Sequence, residues 1–179
     1  FIVKSLPYKF DTFDISRDIL RIPDKLNALE SFAGRIWAFS DSKIFKIEPN
    51  TFYIEDKTIG IGCLHDKSVT VTPFGMFWCD KSNLYWHNGQ TILPIGEAIK
   101  AGNTYSWDKV DFSNIGNANE IVPTSSGGQP PIVVFDPSRN CVLFIFRLDS
   151  NDNRYAHAFH IPSKRWELWE TQGSNKIFQ

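Results

Sequence analysis

Gly34-Arg-Ile-Trp37, a polar turn and Ile44-Phe45 recur further along the chain as Gly75-Met-Phe-Trp78, a polar turn and Leu84-Tyr85. The offset between the two copies is 41 residues at the first apolar run and 40 residues at the second. Self-similarity near this period, with several short strands in each copy, is typical of β-propeller blades. The repeat therefore predicts an all-β chain in which successive sheets pack face to face.

Short apolar runs separated by tight polar turns surround both copies, and a third, divergent copy follows. The runs cover residues 34–39, 43–47, 51–54, 67–72, 76–79, 84–86, 91–95, 133–135, 141–146, 155–161 and 166–169. Within each copy, no helix-length segment separates neighbouring runs, whereas parallel pairing would need long crossovers. We therefore predict antiparallel meander sheets that form the blades of a partial β-propeller.

The chain is expected to divide into an irregular N-terminal arm or linker at 1–30 and propeller-like blades over 31–179. The blades are placed at about 31–66, 67–98 and 130–179, with a loop insertion at 99–129. Residues 176–178 are expected to open another strand. Because a closed propeller needs about four to eight blades, further chain or partner chains are expected to complete it.

Composition narrows the function classes. Of the 179 residues, 15% are aromatic, which suits half-buried strands. The 19 basic and 20 acidic residues give a net charge of -1, which does not favour a basic surface for nucleic acid or anionic lipid. No apolar run reaches the roughly 18 residues that span a bilayer. We expect free thiols in a reducing compartment at Cys63, Cys79 and Cys141.

No metal site is predicted. The histidines lack the spacing of zinc motifs and stand at His65, His87, His157 and His160. His157 and His160 are expected on opposite faces of one strand, so that they would not converge on one ion. Asp149–Asn153 resembles the first half of a calcium loop, but Arg154 replaces the required Gly. We interpret 149–153 as a polar hairpin turn.

No catalytic or cofactor-binding residues are predicted, and the chain is not expected to be an enzyme. Gly127-Gly128 lacks the Lys-Ser/Thr that completes a phosphate loop, and no Gly-x-Ser-x-Gly motif occurs. The Asp-box repeat of sialidase propellers, Ser-x-Asp-x-Gly-x-Thr-Trp, is also missing. Asp108 and Asp111 lie in a polar loop, where solvated acids are commoner than catalytic ones.

Aromatic pairs at repeating strand positions have two interpretations, either core between blades or platforms on which sugars stack. The pairs are Trp37 with Phe39, Phe74 with Trp78, and Trp166 with Trp169. Core is favoured, because aromatics dominate the burial energy of small sheets. Exposed rows of Trp would favour the sugar-binding interpretation.

Several segments resemble the β-propeller proteins of short-tailed bacteriophage tails. They are residues 24–47, Ser68-Val-Thr-Val71, Gly75-Met-Phe-Trp-Cys-Asp80, Asn83-Leu-Tyr-Trp-His-Asn-Gly89 and Val134-Phe-Asp-Pro137. Those relatives, known as tail hub, nozzle or adaptor proteins, assemble as rings around the channel through which the genome leaves. The resemblance implies a structural virion protein without catalytic residues or cofactors, assembled in the host bacterial cytoplasm.

The same resemblance implies the partners. They would be other copies of this chain in a ring and other phage tail proteins, with genomic DNA passing nearby without specific binding and no membrane span.

Two other classes of function stay open from the residues alone. A carbohydrate- or protein-binding propeller module would recognise a receptor, and a propeller hydrolase would need clustered titratable groups that the sequence does not display.

Overall fold

The computed structural model describes residues 1–101, 106–110, 112, 130–147 and 154–170. In these residues the protein is all-β, with five antiparallel sheets and no α-helix. Three 3₁₀ turns lie between strands, at Asp66–Ser68, Gly96–Ile99 and Trp107–Lys109. The predicted all-β class and antiparallel pairing are confirmed.

Four short strands precede the large sheets. β1 (Ile2–Val3) pairs with β4 (Ile19–Leu20), and the intervening β2 (Ser5–Leu6) pairs with β3 (Lys9–Phe13). The sequence predicted only an irregular arm here, because β1 and β4 are joined by a hairpin rather than a tight turn and show no local signal. Together with Ile22, strands β1 and β4 pack against one face of the first large sheet.

Three four-stranded meanders follow, here called sheets I, II and III. Sheet I contains β5 (Ala28–Phe32), β6 (Arg35–Phe39), β7 (Lys43–Glu48) and β8 (Tyr53–Ile59). Sheet II contains β9 (Val69–Thr72), β10 (Gly75–Cys79), β11 (Leu84–His87) and β12 (Ile92–Pro94). Sheet III contains β13 (Ile132–Asp136), β14 (Cys141–Arg147), β15 (Arg154–His160) and β16 (Arg165–Glu170). In each sheet the strands are ordered as in the chain.

Every predicted apolar run overlaps one of the strands β6–β16. β5 was not predicted, because Ala28-Leu-Glu-Ser-Phe32 contains no β-branched residue and few turn signals precede it. The polar turn predicted at 149–153, most of the insertion at 99–129 and the strand expected at 176–178 lie outside the described residues.

The strand pairing corrects the offset of the repeat. In sheet I, Arg35 lies opposite Phe32 across a two-residue turn, and in sheet II, Gly75 lies opposite Thr72 across a turn of the same length. Arg35 and Gly75 are therefore equivalent, and the offset at this strand is 40 residues, as it is at the next strand. The predicted 41-residue offset at the first run is wrong by one.

This one-residue correction changes which face of its sheet each repeated Trp occupies, because neighbouring strand residues point to opposite faces. Trp37 is equivalent to Phe77, and not to Trp78. Trp37 projects from sheet I toward sheet II, whereas Trp78 projects from sheet II back toward sheet I. The two indoles lie in one buried cluster, from opposite sides of the same interface.

The sheets pack face to face in chain order, and each pair of neighbours shares an apolar cluster. The cluster between sheets I and II includes Ala28, Trp37, Phe39, Ile44, Val69, Met76, Trp78 and Tyr85. The cluster between sheets II and III includes Phe77, Cys79, Leu84, Val133, Val142, Phe144 and Phe159. Neighbouring sheets approach most closely at their first strands, β5 with β9 and β9 with β13.

Candidate assembly surfaces

Aromatic rings form the interface between sheets I and II. The ring centroid of Phe39 lies 5.6 Å from that of Trp78, which stacks on Tyr85 at 5.5 Å. Phe39 and Trp78 are fully buried. Burying one side chain of this size contributes about 1.5 to 3 kcal/mol. The interpretation of Trp37, Phe39 and Trp78 as core between sheets is confirmed, whereas Phe74 is 41% exposed.

His87 is built into the outer part of this interface. Its ring centroid lies 4.8 Å from that of Trp37 and 5.3 Å from that of Phe32, and the residue is 7% exposed. The backbone N–H of Gly89 donates to Nδ1 at 3.0 Å, which assigns the proton of the neutral ring to Nε2. Burial lowers the pKa of His87, and the ammonium of Lys46 lowers it further. The neutral imidazole therefore belongs to the interface.

The interface between sheets II and III is also aromatic. Phe77 stacks on Trp86 at 5.6 Å, with an interplanar angle of 4°. Phe159 of β15 packs against both rings, at 6.2 Å and 6.3 Å, and lies 4.9 Å from Trp166 of β16. Because Trp166 and Trp169 project from opposite faces of β16, they do not form the joint platform that the pair suggested.

Two long-range hydrogen bonds join sheets II and III at opposite edges. At the inner edge, the Ser68 hydroxyl donates to the carbonyl of Pro131 over 2.5 Å. At the outer edge, the indole N–H of Trp166 donates to the carbonyl of Ile95 over 3.0 Å. Both acceptors lie close to the ends of the segment that links the two sheets.

Asp80 organises the turn between β10 and β11. Its Oδ1 accepts backbone hydrogen bonds from Ser82 at 2.7 Å and Asn83 at 2.8 Å, and its Oδ2 accepts one from Gly62 at 3.4 Å. Its backbone carbonyl accepts the indole N–H of Trp107 at 3.1 Å. The carboxylate is buried and fully engaged, so its role is structural.

A β-bulge shapes the outer edge of sheet I. The pairing of β7 with β8 shifts between Lys46 and Ile47, which leaves Glu55 without a cross-strand partner in β7. Glu55 instead accepts a hydrogen bond from Arg35 Nε at 2.8 Å and lies 3.3 Å from Lys46 Nζ. The hydrogen bond from Arg35 lowers the pKa of Glu55. The result is a charged rim around the aromatic interface.

The candidate metal ligands are dispersed. His65 caps a 3₁₀ turn by accepting the backbone N–H of Lys67, His157 stacks on Phe146 at 4.9 Å, and His160 hydrogen bonds Ser163. In the described ranges, no three His, Cys, Asp or Glu side chains come together as metal ligands do. Asp149–Asn153, Gly127-Gly128 and Asp111 lie outside those ranges, and Asp108 is exposed on a 3₁₀ turn.

The three cysteines are free and buried. Burial raises the pKa of Cys63 to about 12 and raises the pKa of Cys79 well above its usual value. Burial also raises the pKa of Cys141. Since the thiolate is the reactive form, these side chains act as small apolar groups of the core.

The hairpin of β2 and β3 is the surface that sequence reasoning missed. All five residues of β3 are exposed, and large apolar side chains accompany them at Phe1, Tyr8, Phe10, Phe13 and Ile15. The signal was short, because apolar and charged residues alternate only over Tyr8-Lys-Phe-Asp11 before Phe13 breaks the pattern. The structure provides no buried face for it within the described part of the chain.

The sequence matches no protein-family profile and no curated protein. In the described part of the chain, no helix is long and apolar enough to cross a membrane. Function is therefore argued from the stacked sheets, their interfaces and the exposed hairpin.

Proposed function

We propose that this chain is a structural protein of a bacteriophage tail, in which sheets I to III are consecutive blades of a β-propeller. The propeller would form part of a hub, nozzle or adaptor ring around the DNA exit channel. The observation that carries this proposal is the packing of three four-stranded meanders in chain order, with their first strands closest together. Propeller blades are arranged around their axis in this way.

The face of sheet I that points away from sheet II supports the same proposal. Ala38, Phe45 and Ile47 on that face are buried beneath Leu20 and Ile22. The strand pair β1 and β4 therefore occupies the position that a neighbouring blade would take in a ring of blades. Other strands from this protein or from a partner would extend that pair into a full sheet, because three sheets are fewer than the four needed for closure.

Charge and resemblance support the proposed place in a virion. A net charge of -1 gives the chain no strong attraction for phosphate, as suits a wall past which DNA moves. The resemblance to tail hub, nozzle and adaptor proteins adds the partners, namely further copies of this chain and other tail proteins. Rings of this kind use head-to-tail contacts between subunits.

Electron microscopy of the full-length protein, alone and in purified virions, tests the proposal. We expect a ring with a central channel and a position in the tail. A matched pair of variants tests whether the ring depends on the packing of the sheets. Trp78→Asp disrupts the interface between sheets I and II and should abolish the ring. Lys57→Asp changes an exposed residue of β8 and should leave the ring intact. A soluble monomer that never enters a virion would refute the proposal.

A protein-binding propeller module for receptor recognition is the second candidate, and the exposed aromatic hairpin favours it. A carbohydrate-binding version has less support. All six Trp residues are described, none is exposed, and five donate their indole N–H to acceptors of the protein itself. Binding of the chain to a glycan array, lost on Trp86→Ala, would favour the carbohydrate version instead.

A further inference from the structure

The hairpin of β2 and β3 carries an unusual amount of exposed apolar surface. Tyr8 is 98% exposed and Phe10 is 88% exposed, and Phe1, Phe13 and Ile15 add to them. With roughly 150 to 250 Å² for each aromatic side chain, the five expose on the order of 700 Å². Exposed apolar surface of several hundred Å² in one segment is uncommon on a monomeric soluble protein and marks a site of contact with another chain.

In the described part of the chain, the edge of β3 that faces away from β2 pairs with no strand, and the pairing with β2 is itself irregular. The register of the hairpin passes from Leu6 opposite Lys9 directly to Ser5 opposite Phe13. Phe10, Asp11 and Thr12 therefore have no partner residue in β2. A two-stranded hairpin is marginally stable in water, and a free strand edge is a template for another strand.

The charges on β3 are self-complementary. Lys9 and Asp11 form no ion pair with any described residue. In an antiparallel pair of two β3 strands with Phe10 opposite Phe10, Lys9 of each copy lies opposite Asp11 of the other. A register centred on Asp11 would instead place two carboxylates opposite each other, which is unfavourable.

We propose that β3 pairs with β3 of a second copy of this chain, antiparallel and across a two-fold axis that passes beside Phe10. Two Lys9–Asp11 pairs form on one face of the four-stranded sheet that results. On the other face, Phe10 of one copy lies opposite Phe10 of the other, while Tyr8 lies in the turn that precedes β3, at positive φ. Because residues i and i+2 share a face, the charged and aromatic sets do not interfere.

This contact is independent of the proposed tail function. A two-fold contact uses the same surface on both copies, whereas a ring closes through two different surfaces. Loss of the hairpin contact leaves the packing of sheets I to III unchanged. Ring formation and hairpin pairing can therefore fail separately, and the two experiments report on different parts of the chain.

Charge reversal tests the register. We measure the dimer dissociation constant of the full chain by sedimentation over a concentration series. Lys9→Asp alone and Asp11→Lys alone each replace two attractive pairs by two repulsive pairs and should weaken the dimer at least about tenfold. The double variant restores opposite charges and should recover the dimer. Lys57→Asp in β8 is the control and should change nothing.

Cross-linking tests the axis. Residues directly opposite in an antiparallel pair have Cα atoms about 4.5 to 5.5 Å apart, within the range of a disulfide. Under mild oxidation Phe10→Cys should give a covalent dimer. Thr12→Cys should not, because each Thr12 is two residues from the axis and the two introduced thiols would lie four residues apart along the paired strands. The native cysteines are buried and do not interfere.

Three results would overturn the proposal. The first is a chain that stays monomeric at every concentration. The second is a dimer that survives both single charge reversals and is not cross-linked through Phe10→Cys. The third is Phe10→Asp leaving self-association intact while abolishing binding to another tail protein, which would make that protein the occupant of the hairpin.

Discussion

Replacing Trp78 by Phe should cost far less stability than replacing Trp107 by Phe, although both indoles are buried in aromatic clusters. Trp78 is fully buried and Trp107 is 1% exposed. The indole N–H of Trp107 donates to the carbonyl of Asp80 at 3.1 Å. The Nε1 of Trp78 is buried and has no hydrogen-bond partner in the described part of the chain.

The magnitude follows from this difference. Shortening indole to phenyl loses buried apolar area and leaves a small cavity, which costs about 1 to 2 kcal/mol at either position. Trp107→Phe also loses a hydrogen bond of about 1 kcal/mol and leaves the Asp80 carbonyl without that donor. Trp78→Phe removes a buried unsatisfied N–H, which recovers about 1 to 3 kcal/mol. We expect Trp107→Phe to be the less stable variant by about 2 kcal/mol or more.

Urea unfolding followed by far-ultraviolet circular dichroism measures both variants without depending on Trp emission. The free energies of unfolding are compared at equal m-value, because a change in m would indicate a loss of two-state behaviour. Equal destabilisation of the two variants would refute the reasoning, since it would mean that the unsatisfied N–H carries no cost.

Three further predictions concern pH, glycine and thiols. The pKa of His87 is lowered in the folded protein, so the unfolded chain binds the extra proton first as the pH falls. The free energy of unfolding should therefore fall as pH drops below about 6.5. His87→Gln should flatten this dependence in urea titrations. Gly62→Ala should cost about 3 kcal/mol, because its Cβ would collide with the Asp41 carbonyl. Gly34→Ala should cost only about 1 kcal/mol, since its positive φ is strained but its surroundings are open. The thiols of Cys63 and Cys79 should resist a thiol reagent at pH 8 in the folded protein and react after unfolding in urea.

Each of these has a contradicting result. A pH profile that is unchanged by His87→Gln would place the titrating group elsewhere. Equal costs for the two glycine variants would mean that the Asp41 turn yields to an added methyl group. Rapid labelling of the folded protein would show that an interface opens without global unfolding, the one between sheets I and II if Cys63 reacts and the one between sheets II and III if Cys79 reacts.

The sequence predicted the meanders well because their turns are local. Ser40 to Ser42 and Asp80 to Asn83 are polar breaks between apolar runs, and each break became a turn between paired strands. The register was harder, because Gly34 and Gly75 look alike in the sequence but have different roles. Both have a positive φ, but Gly34 lies in a turn with open space around it, whereas Gly75 is the first residue of β10, where a Cβ would collide with the carbonyl of His87.

The sequence predicted an aromatic core between the sheets, but not which residues of neighbouring sheets would be in contact. Aromatic runs indicated a core, but the pairing of His87 with Trp37 joins strands of different sheets and leaves no local signal. The same holds for the bond between Ser68 and Pro131, which are distant in the chain. The exposed hairpin was missed because its apolar residues keep no sustained period, since Phe10 and Phe13 are three residues apart and fall on opposite faces of β3.

The two hydrogen bonds that join sheets II and III have a consequence for engineering. Ser68 and Trp166 fasten the two ends of the connecting segment, so the joint does not depend on that segment being of a given length. Lengthening an anchored connection is cheap, because doubling it costs only about 0.6 kcal/mol of closure entropy. An epitope tag or a fluorescent domain inserted between residues 112 and 130 should therefore leave both sheets in place, which makes this segment the natural attachment point for locating the protein in an assembly.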